Sequence, residues 1–280
     1  MAKGAKTHMV PMDLHTHSNM SDGTCTPSLL VEKAKAAGLG ILALTDHDCI
    51  QGLPQALEAG ERLGIRVIPG LELDTEFPTE LHMLGLGVDP QHPALQDFAA
   101  RNALRRQERN EKILAQLAAA GTDVRPFFPT QQGTPTRLHV ALALVAGGFA
   151  PSIPEAFRNY LFRGRPGYVE TKRILPEDAI ALIHQAGGLA VLAHPCKIKA
   201  DVAALVARLH QAGLDGLEAF YPTATPGQRE TYISMAQQYG LLLSCGSDFH
   251  GDNRPDNALG CTWQDTPLLE PIQTRLLQRS

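Results

Sequence analysis

The chain has 280 residues, enough for one large α/β domain or a barrel carrying an inserted module. Hydrophobic residues make up 44% and charged residues 19%, ordinary globular values, and a net charge of -4 leaves no electrostatic footprint for long nucleic acid. No stretch approaches the roughly 20 apolar residues of a membrane span, and the start has no apolar run of leader length. The five scattered cysteines form no CxxC pair, so neither a zinc ribbon nor a disulfide framework is encoded and a reduced cytoplasm is expected.

Val10 to Leu14 reads as a short buried strand that runs into the polar stretch DLHTHSNMSDG. On a strand, residues two apart project to the same face, so His15 and His17 can converge on one ion. Asp22 lies beyond a polar turn that folds a carboxylate back to the same place. Thr26-Pro27 opens a helix that stops at Gly38, completing one βα unit. Ile41 to Thr45 is a second strand, ending in Asp46-His47-Asp48, with a helix from about Leu53 to Leu63 behind it. His47 is a candidate ligand; its flanking aspartates read as supporting or capping carboxylates. Arg66 to Pro69 is a third strand delivering Glu72, and Leu81 to Val88 is a fourth run with His82 near its beginning.

The ligand-type residues then pause. From about Leu95 to Ala120 the pattern is a long helix, with arginines at 101, 105, 106 and 109 on one side, read as a solvated face, and an apolar stripe on the other. Two short helices follow near 136–146 and 154–161, so residues 95–168 read as an inserted, mainly helical cap. The alternation resumes at Pro176. Strands end in His194-Pro195, at Ala219 and in Gly246-Ser247-Asp248-Phe249-His250.

Strands alternating with helices predict a parallel sheet, and about seven such units predict a closed or distorted barrel built from residues 1–94 and 169–280. Polar clusters that follow successive strands become neighbours at one rim of such a barrel. The candidate metal set is His15, His17, Asp22, His47, Glu72, His82, His194, Asp248 and His250. It uses six of the chain's 11 histidines and holds too many ligands for one ion, which points to two or three.

DLHTHSNMSDG, LTDHD, the Gly70-Leu71-Glu72 turn, LHMLG around His82, LAHP at 192–195 and GSDFHG at 246–251 together resemble the PHP family, named for its polymerase and histidinol phosphatase members. TRLHVA at 136–141, NYLFRGRPGYV at 159–169 and AGGLAVLAHP at 186–195 are most similar to the bacterial subgroup acting on 3′,5′-nucleoside bisphosphates and short RNA 5′ ends. The resemblance implies an α/β fold, a distorted (β/α)7 TIM-like barrel with a cap, and a site for up to three divalent ions, manganese first, iron or zinc otherwise. It assigns His15, His17, Glu72 and Asp248 to one ion, Asp22, His47 and His250 to a second, and Glu72, His82 and His194 to a third. It also implies catalytic roles for Asp248, His194 and His250, the two histidines as proton donors only where metal does not claim them.

Paired cations cancel phosphate charge and bring the pKa of a bound water down toward about 7, so a metal-bridging hydroxide attacking phosphorus in line needs no serine or cysteine nucleophile. Arg137, His139, Arg163, Arg165 and Lys197 are the candidate phosphate-binding residues, since arginine grips phosphate through two parallel hydrogen bonds and lysine acts as a point charge. Phe127, Phe128, Phe157, Tyr160 and Tyr168 are the available base-stacking platforms. The partner is expected to be a small nucleotide or short RNA. A histidinol-phosphate or other small-metabolite phosphatase is the alternative, with an amide hydrolase on a similar barrel behind it.

Overall fold

The computed structural model describes residues 9–128, 133 and 135–278; the expectation made for the start of the chain falls on residues 1–8, outside the described residues. Among the described residues seven strands form one sheet in chain order: β1 (Met12–Asp13), β2 (Ile41–Leu44), β3 (Arg66–Asp74), β4 (His82–Leu86), β5 (Leu189–Leu192), β6 (Gly216–Phe220) and β7 (Leu242–Cys245). Runs such as Ile-Leu-Ala-Leu in β2 and Leu-Ala-Val-Leu in β5 are buried along their whole length. That is the pattern of strands covered on both faces.

The ring nearly closes. Beyond the ends of the first and last strands, Leu14 N donates to the Cys245 carbonyl at 3.0 Å, Asp248 N to His15 at 2.9 Å and His17 N to Phe249 at 2.9 Å. These bonds stitch the two strand ends together at the ligand-bearing rim.

The expected all-parallel sheet fails at one strand. β4 pairs antiparallel with both β3 and β5, whereas the other pairs are parallel. Only residues 75–81 join β3 to β4, and a parallel return needs a crossover of a dozen residues or more. The chain therefore turns back as a hairpin, which places Asp74 opposite His82.

The described helices are α1 (Pro27–Ala36), α2 (Leu53–Leu63), α3 (Pro93–Ala119), α4 (Arg137–Ala146), α5 (Ile153–Ala156), α6 (Pro176–Gln185), α7 (Val202–Gln211), α8 (Pro226–Tyr239) and α9 (Glu270–Leu277); all but α4 and α5 pack residues against the barrel core. Local chemistry sets their ends. Thr26 Oγ1 accepts from Leu29 N at the start of α1, and α2 ends at Gly64 in the left-handed conformation that a residue without Cβ adopts at little cost.

Two apolar cores form. One fills and surrounds the barrel; the other joins Ile113 and Leu117 of α3 to Val140, Ala141 and Leu144 of α4 and to Ala156 and Leu161. The first turns of α3, through Leu95, Phe98 and Ala99, belong to the barrel core. α3 is thus a rod shared by both cores. No described helix is long and apolar enough to cross a membrane.

Candidate metal centre

Strand ends bring the nine predicted ligands to one rim, all buried or nearly so; His47 is the most accessible at 13% side-chain exposure. Three loops leave their strands through residues at positive φ that are not glycine: Asp48 (49°), His194 (29°) and Asp248 (53°). Such conformations cost of order 1–3 kcal/mol each and persist where surrounding structure over-determines them.

Glu72 is the hub. Its Oε2 faces His47 Nδ1 at 3.1 Å and the Nε2 atoms of His15 and His17 at 3.2 Å each, while its Oε1 faces His82 Nδ1 at 2.8 Å and His194 Nε2 at 2.9 Å. Asp248 Oδ1 lies 3.6 Å from His15 Nε2 and 3.4 Å from His17 Nε2. On the far side of His17, Asp22 lies 3.3 Å from His250 Nε2 and 3.8 Å from His47 Nε2. The ligand atoms of His15, His17, Glu72 and Asp248 lie within 4.8 Å of one another, as do those of His17, Asp22, His47 and His250. Two donors on one ion, each about 2.1 Å from it, stand about 3–4 Å apart, so these spacings suit a shared cation.

His82 lies between two ligand groups. It gathers with His47 and Glu72 in one group and with Glu80 and His194 in another, and Glu72 Oε1 faces both His82 and His194. Glu80 carries no signal in the sequence, being one acid in an exposed turn.

The outer nitrogens are already committed. His15 Nδ1 is held by Glu218 at 3.0 and 3.2 Å, which leaves its Nε2 pointing inward, and Glu218 also accepts from His194 N at 2.7 Å. His250 Nδ1 donates to the Asp248 carbonyl at 2.8 Å. Glu72 Oε2, Asp22 Oδ1 and His250 Nε2 are buried without a hydrogen-bond partner even though nitrogens and oxygens crowd them. Buried polar atoms seldom stay unsatisfied, and a cation in their midst satisfies all three, so the donor set fits divalent metal.

The electrostatics agree. Burial disfavours the charged forms of Asp22, Glu72 and Asp248, yet the facing imidazoles, and for Asp248 chiefly the Arg254 guanidinium, hold all three carboxyls well below the usual carboxylate range. Burial also opposes charge on His17 and His82, but neighbouring carboxylates raise His17 to about 9 and His82 to about 10. Burial wins at His47, which falls to about 3.

A model of the PHP domain matches residues 13–145. A 5′-3′ exoribonuclease Rnm of Salmonella typhimurium is 38% identical over 254 residues, 87% of this chain and 86% of the relative. A 3′,5′-nucleoside bisphosphate phosphatase of Chromobacterium violaceum is 35% identical over 97% of this chain and 98% of its own. The chain belongs to the PHP family. A structure described as an amidohydrolase from Chromobacterium violaceum, with bound sulfate and no metal, superimposes with a TM-score of 0.85 over 96% of each chain at 34% identity.

Around the PHP centre the predicted phosphate-binding residues separate. Lys197 Nζ lies 3.1 Å from Asp248 Oδ2. His139 is buried and turned to its own helix, its Nδ1 accepting from Thr136 N at 3.0 Å. Arg137 rests 6.0 Å above the Phe157 ring. Arg163 is 81% exposed and pairs with Glu170, and Arg165 is exposed too; no contact joins either to the metal ligands.

The supposedly solvated arginine face is a correction. Arg101 lies outward and Arg105 is half-buried, donating to the Lys172 carbonyl at 2.9 Å, but Arg106 and Arg109 are only 7% and 6% exposed, and Arg106 pairs with Asp48. Period-3.6 reasoning sees the amphipathic stripe and not which polar face meets the rest of the fold. Asp46 accepts from Ser18 N, Ser18 Oγ and Ser21 Oγ at 2.6–2.8 Å and so shapes the loop between His17 and Asp22. Sequence reasoning missed Glu218, Tyr221 and Arg254. A glutamate inside the apolar run Gly216–Phe220 is a usable signal, whereas Arg254 sits in an unremarkable polar loop.

Proposed function

We propose that this enzyme removes the 3′-phosphate of 3′,5′-nucleoside bisphosphates to leave the 5′-monophosphate, and acts 5′ to 3′ on short RNA. As a PHP family member the chain is a phosphoric ester hydrolase; the substrate and the residue roles are the proposal. The observation that carries it is the sharing of Glu72 and His17 between adjacent ligand groups beside a cationic edge. His15, His17, Glu72 and Asp248 hold one ion, Asp22, His47 and His250 the second with His17 in reach, and His82 and His194 with Glu72 a third. Manganese suits this mixture of imidazole and carboxylate, with iron or zinc as substitutes. Divalent ions held there cancel substrate charge and lower the pKa of a water toward about 7.

The remaining steps belong to the protein's own groups. Asp248 Oδ2 receives Tyr221 Oη at 2.7 Å, Lys197 Nζ at 3.1 Å and an Arg254 guanidinium N–H. Two cations on one carboxylate leave a positive charge in excess, placed to take the phosphoryl oxygens. His250 Nδ1 is held by the Asp248 carbonyl, which leaves Nε2 turned inward beside Asp22, and His194 Nε2 is on Glu72, so both act as ligands rather than as proton donors. A cytoplasmic setting accords with five free cysteines.

The test is phosphate release by the manganese-loaded protein. Hydrolysis of adenosine 3′,5′-bisphosphate is expected; an intact bisphosphate alongside hydrolysed histidinol phosphate would move the enzyme to the small-metabolite class. Metal content of the protein as purified identifies the ion.

A further inference from the structure

We propose that Glu80, in the turn between β3 and β4, is a further ligand of the third ion, taking a position that Glu72, His82 and His194 leave open. This rests on reading the metal centre as a phosphoesterase site with three ions.

The third position is short of negative charge. Glu72 Oε2 faces His15, His17 and His47, so only its Oε1 turns toward His82 and His194. The first ligand group has Asp248 besides Glu72, and the second has Asp22. The third has no carboxylate of its own. A divalent ion there meets two imidazoles and one oxygen of a shared carboxylate, fewer donors than the octahedral set that manganese takes.

Glu80 stands where a carboxylate is needed. One of its oxygens and ligand nitrogens of His82 and His194 lie within 4.8 Å of one another. The local chain explains why. Leu81 is fully buried in the barrel core, so its neighbours Glu80 and His82 project together to the opposite side, as residues two apart on an extended chain do. The turn is pinned at its base: the Leu81 carbonyl accepts from Thr75 N at 3.1 Å and from Thr75 Oγ1 at 2.7 Å, and Glu76 N donates to the Ile174 carbonyl at 2.7 Å. Glu80 is therefore held at the edge of the ring where His82 begins β4.

The carboxylate is also unclaimed. Among the described residues it has no hydrogen bond or ion pair, although its charge reaches Arg137 and favours the protonated guanidinium there. Glu80 is exposed, so it gives up little hydration in turning to a cation, whereas a buried carboxylate has already lost its water.

Titration of the chelator-treated protein with manganese, the free ion read by electron paramagnetic resonance, counts the ions without the reaction. Wild type is expected to take up three equivalents. Glu80→Gln changes an exposed, unpaired side chain and keeps the fold, and it is expected to weaken one equivalent by at least about 10–100-fold, the loss that even an outer partner brings. The other two equivalents keep their wild-type affinity. Equal weakening of all three would show a general charge effect and overturn the proposal, as would three unchanged equivalents or a wild type that takes up only two.

Glu80→Cys supplies a direct signature. A thiolate is a ligand for soft ions, so cadmium-loaded Glu80→Cys is expected to gain a sulfur-to-metal charge-transfer band over wild type loaded in the same way. No gain would place Glu80 outside the ligand set. If the manganese-loaded wild type leaves adenosine 3′,5′-bisphosphate and other phosphate esters intact, the function proposed above fails while the ion count still decides Glu80.

Discussion

His15 has little freedom. Glu218 fixes its Nδ1 from outside, and Glu72 and Asp248 wait on the Nε2 side. Replacing Glu218 by Gln keeps the size but loses the charge that sets the tautomer. Outer partners of this kind are worth about 10–100-fold in metal affinity. Equilibrium dialysis of Glu218→Gln should show a loss of that order, and wild-type affinity would remove Glu218 from the centre. Asp248→Asn should cut turnover by orders of magnitude, since the change weakens an anionic metal ligand and loosens its hold on Lys197 and Arg254; near-normal kcat would refute that role.

Protons move with the metal. With His17 raised to about 9 and His82 to about 10 against an ordinary 6.5, both rings are protonated at pH 7.5 in the metal-free protein. The stability they contribute is full below about pH 6.5 and lost as pH rises through 9 to 10. Metal needs the unprotonated rings, so loading releases about two protons from this pair at pH 7.5 and affinity climbs with pH. His47, pressed down to about 3, releases none. Calorimetry in buffers of different ionisation heat counts the protons, and a count near zero contradicts the charged pair.

At the scale of elements, the turn from β3 into β4 decides the centre's shape. An antiparallel β4 begins at the rim where β3 ends, so His82 contributes from the start of a strand while His194 and Asp248 follow strand ends. Hydrophobic runs and turn residues made the strands, most helices and the ligand clusters readable. Strand direction was not readable from alternation alone; it followed from a connection too short for a crossover. Gly246 shows the same dependence on fold: a Cβ there would lie 2.3 Å from His15 Cβ and 2.4 Å from Glu218 Oε1. Gly246→Ala is expected to lower the melting temperature, at a cost of about 1–3 kcal/mol from overpacking, and to weaken metal binding with it. Wild-type melting and metal content together would show that the pair can move aside.

At the scale of the molecule, one rod joins two cores, and the ligands all belong to the barrel side. Leu117 is fully buried in the second core, so Leu117→Ala is expected to cost about 2–5 kcal/mol. The damage should raise KM by loosening the second core while metal stoichiometry stays at the wild-type value. Loss of metal from Leu117→Ala would mean that the two cores unfold as one.

The sequence by itself determined the family, the alternating strands and helices and the residues able to bind metal, because each is written in local pattern: period, turn chemistry and ligand spacing. Only the tertiary structure decided which oxygen of Glu72 faces which imidazoles, that Glu218 and Arg254 join the site, and that Arg106 and Arg109 turn inward while Arg163 and Arg165 do not. Those outcomes depend on which faces meet across a nearly closed ring and where the second core packs. Contacts between residues a hundred or more positions apart leave no trace in local periodicity.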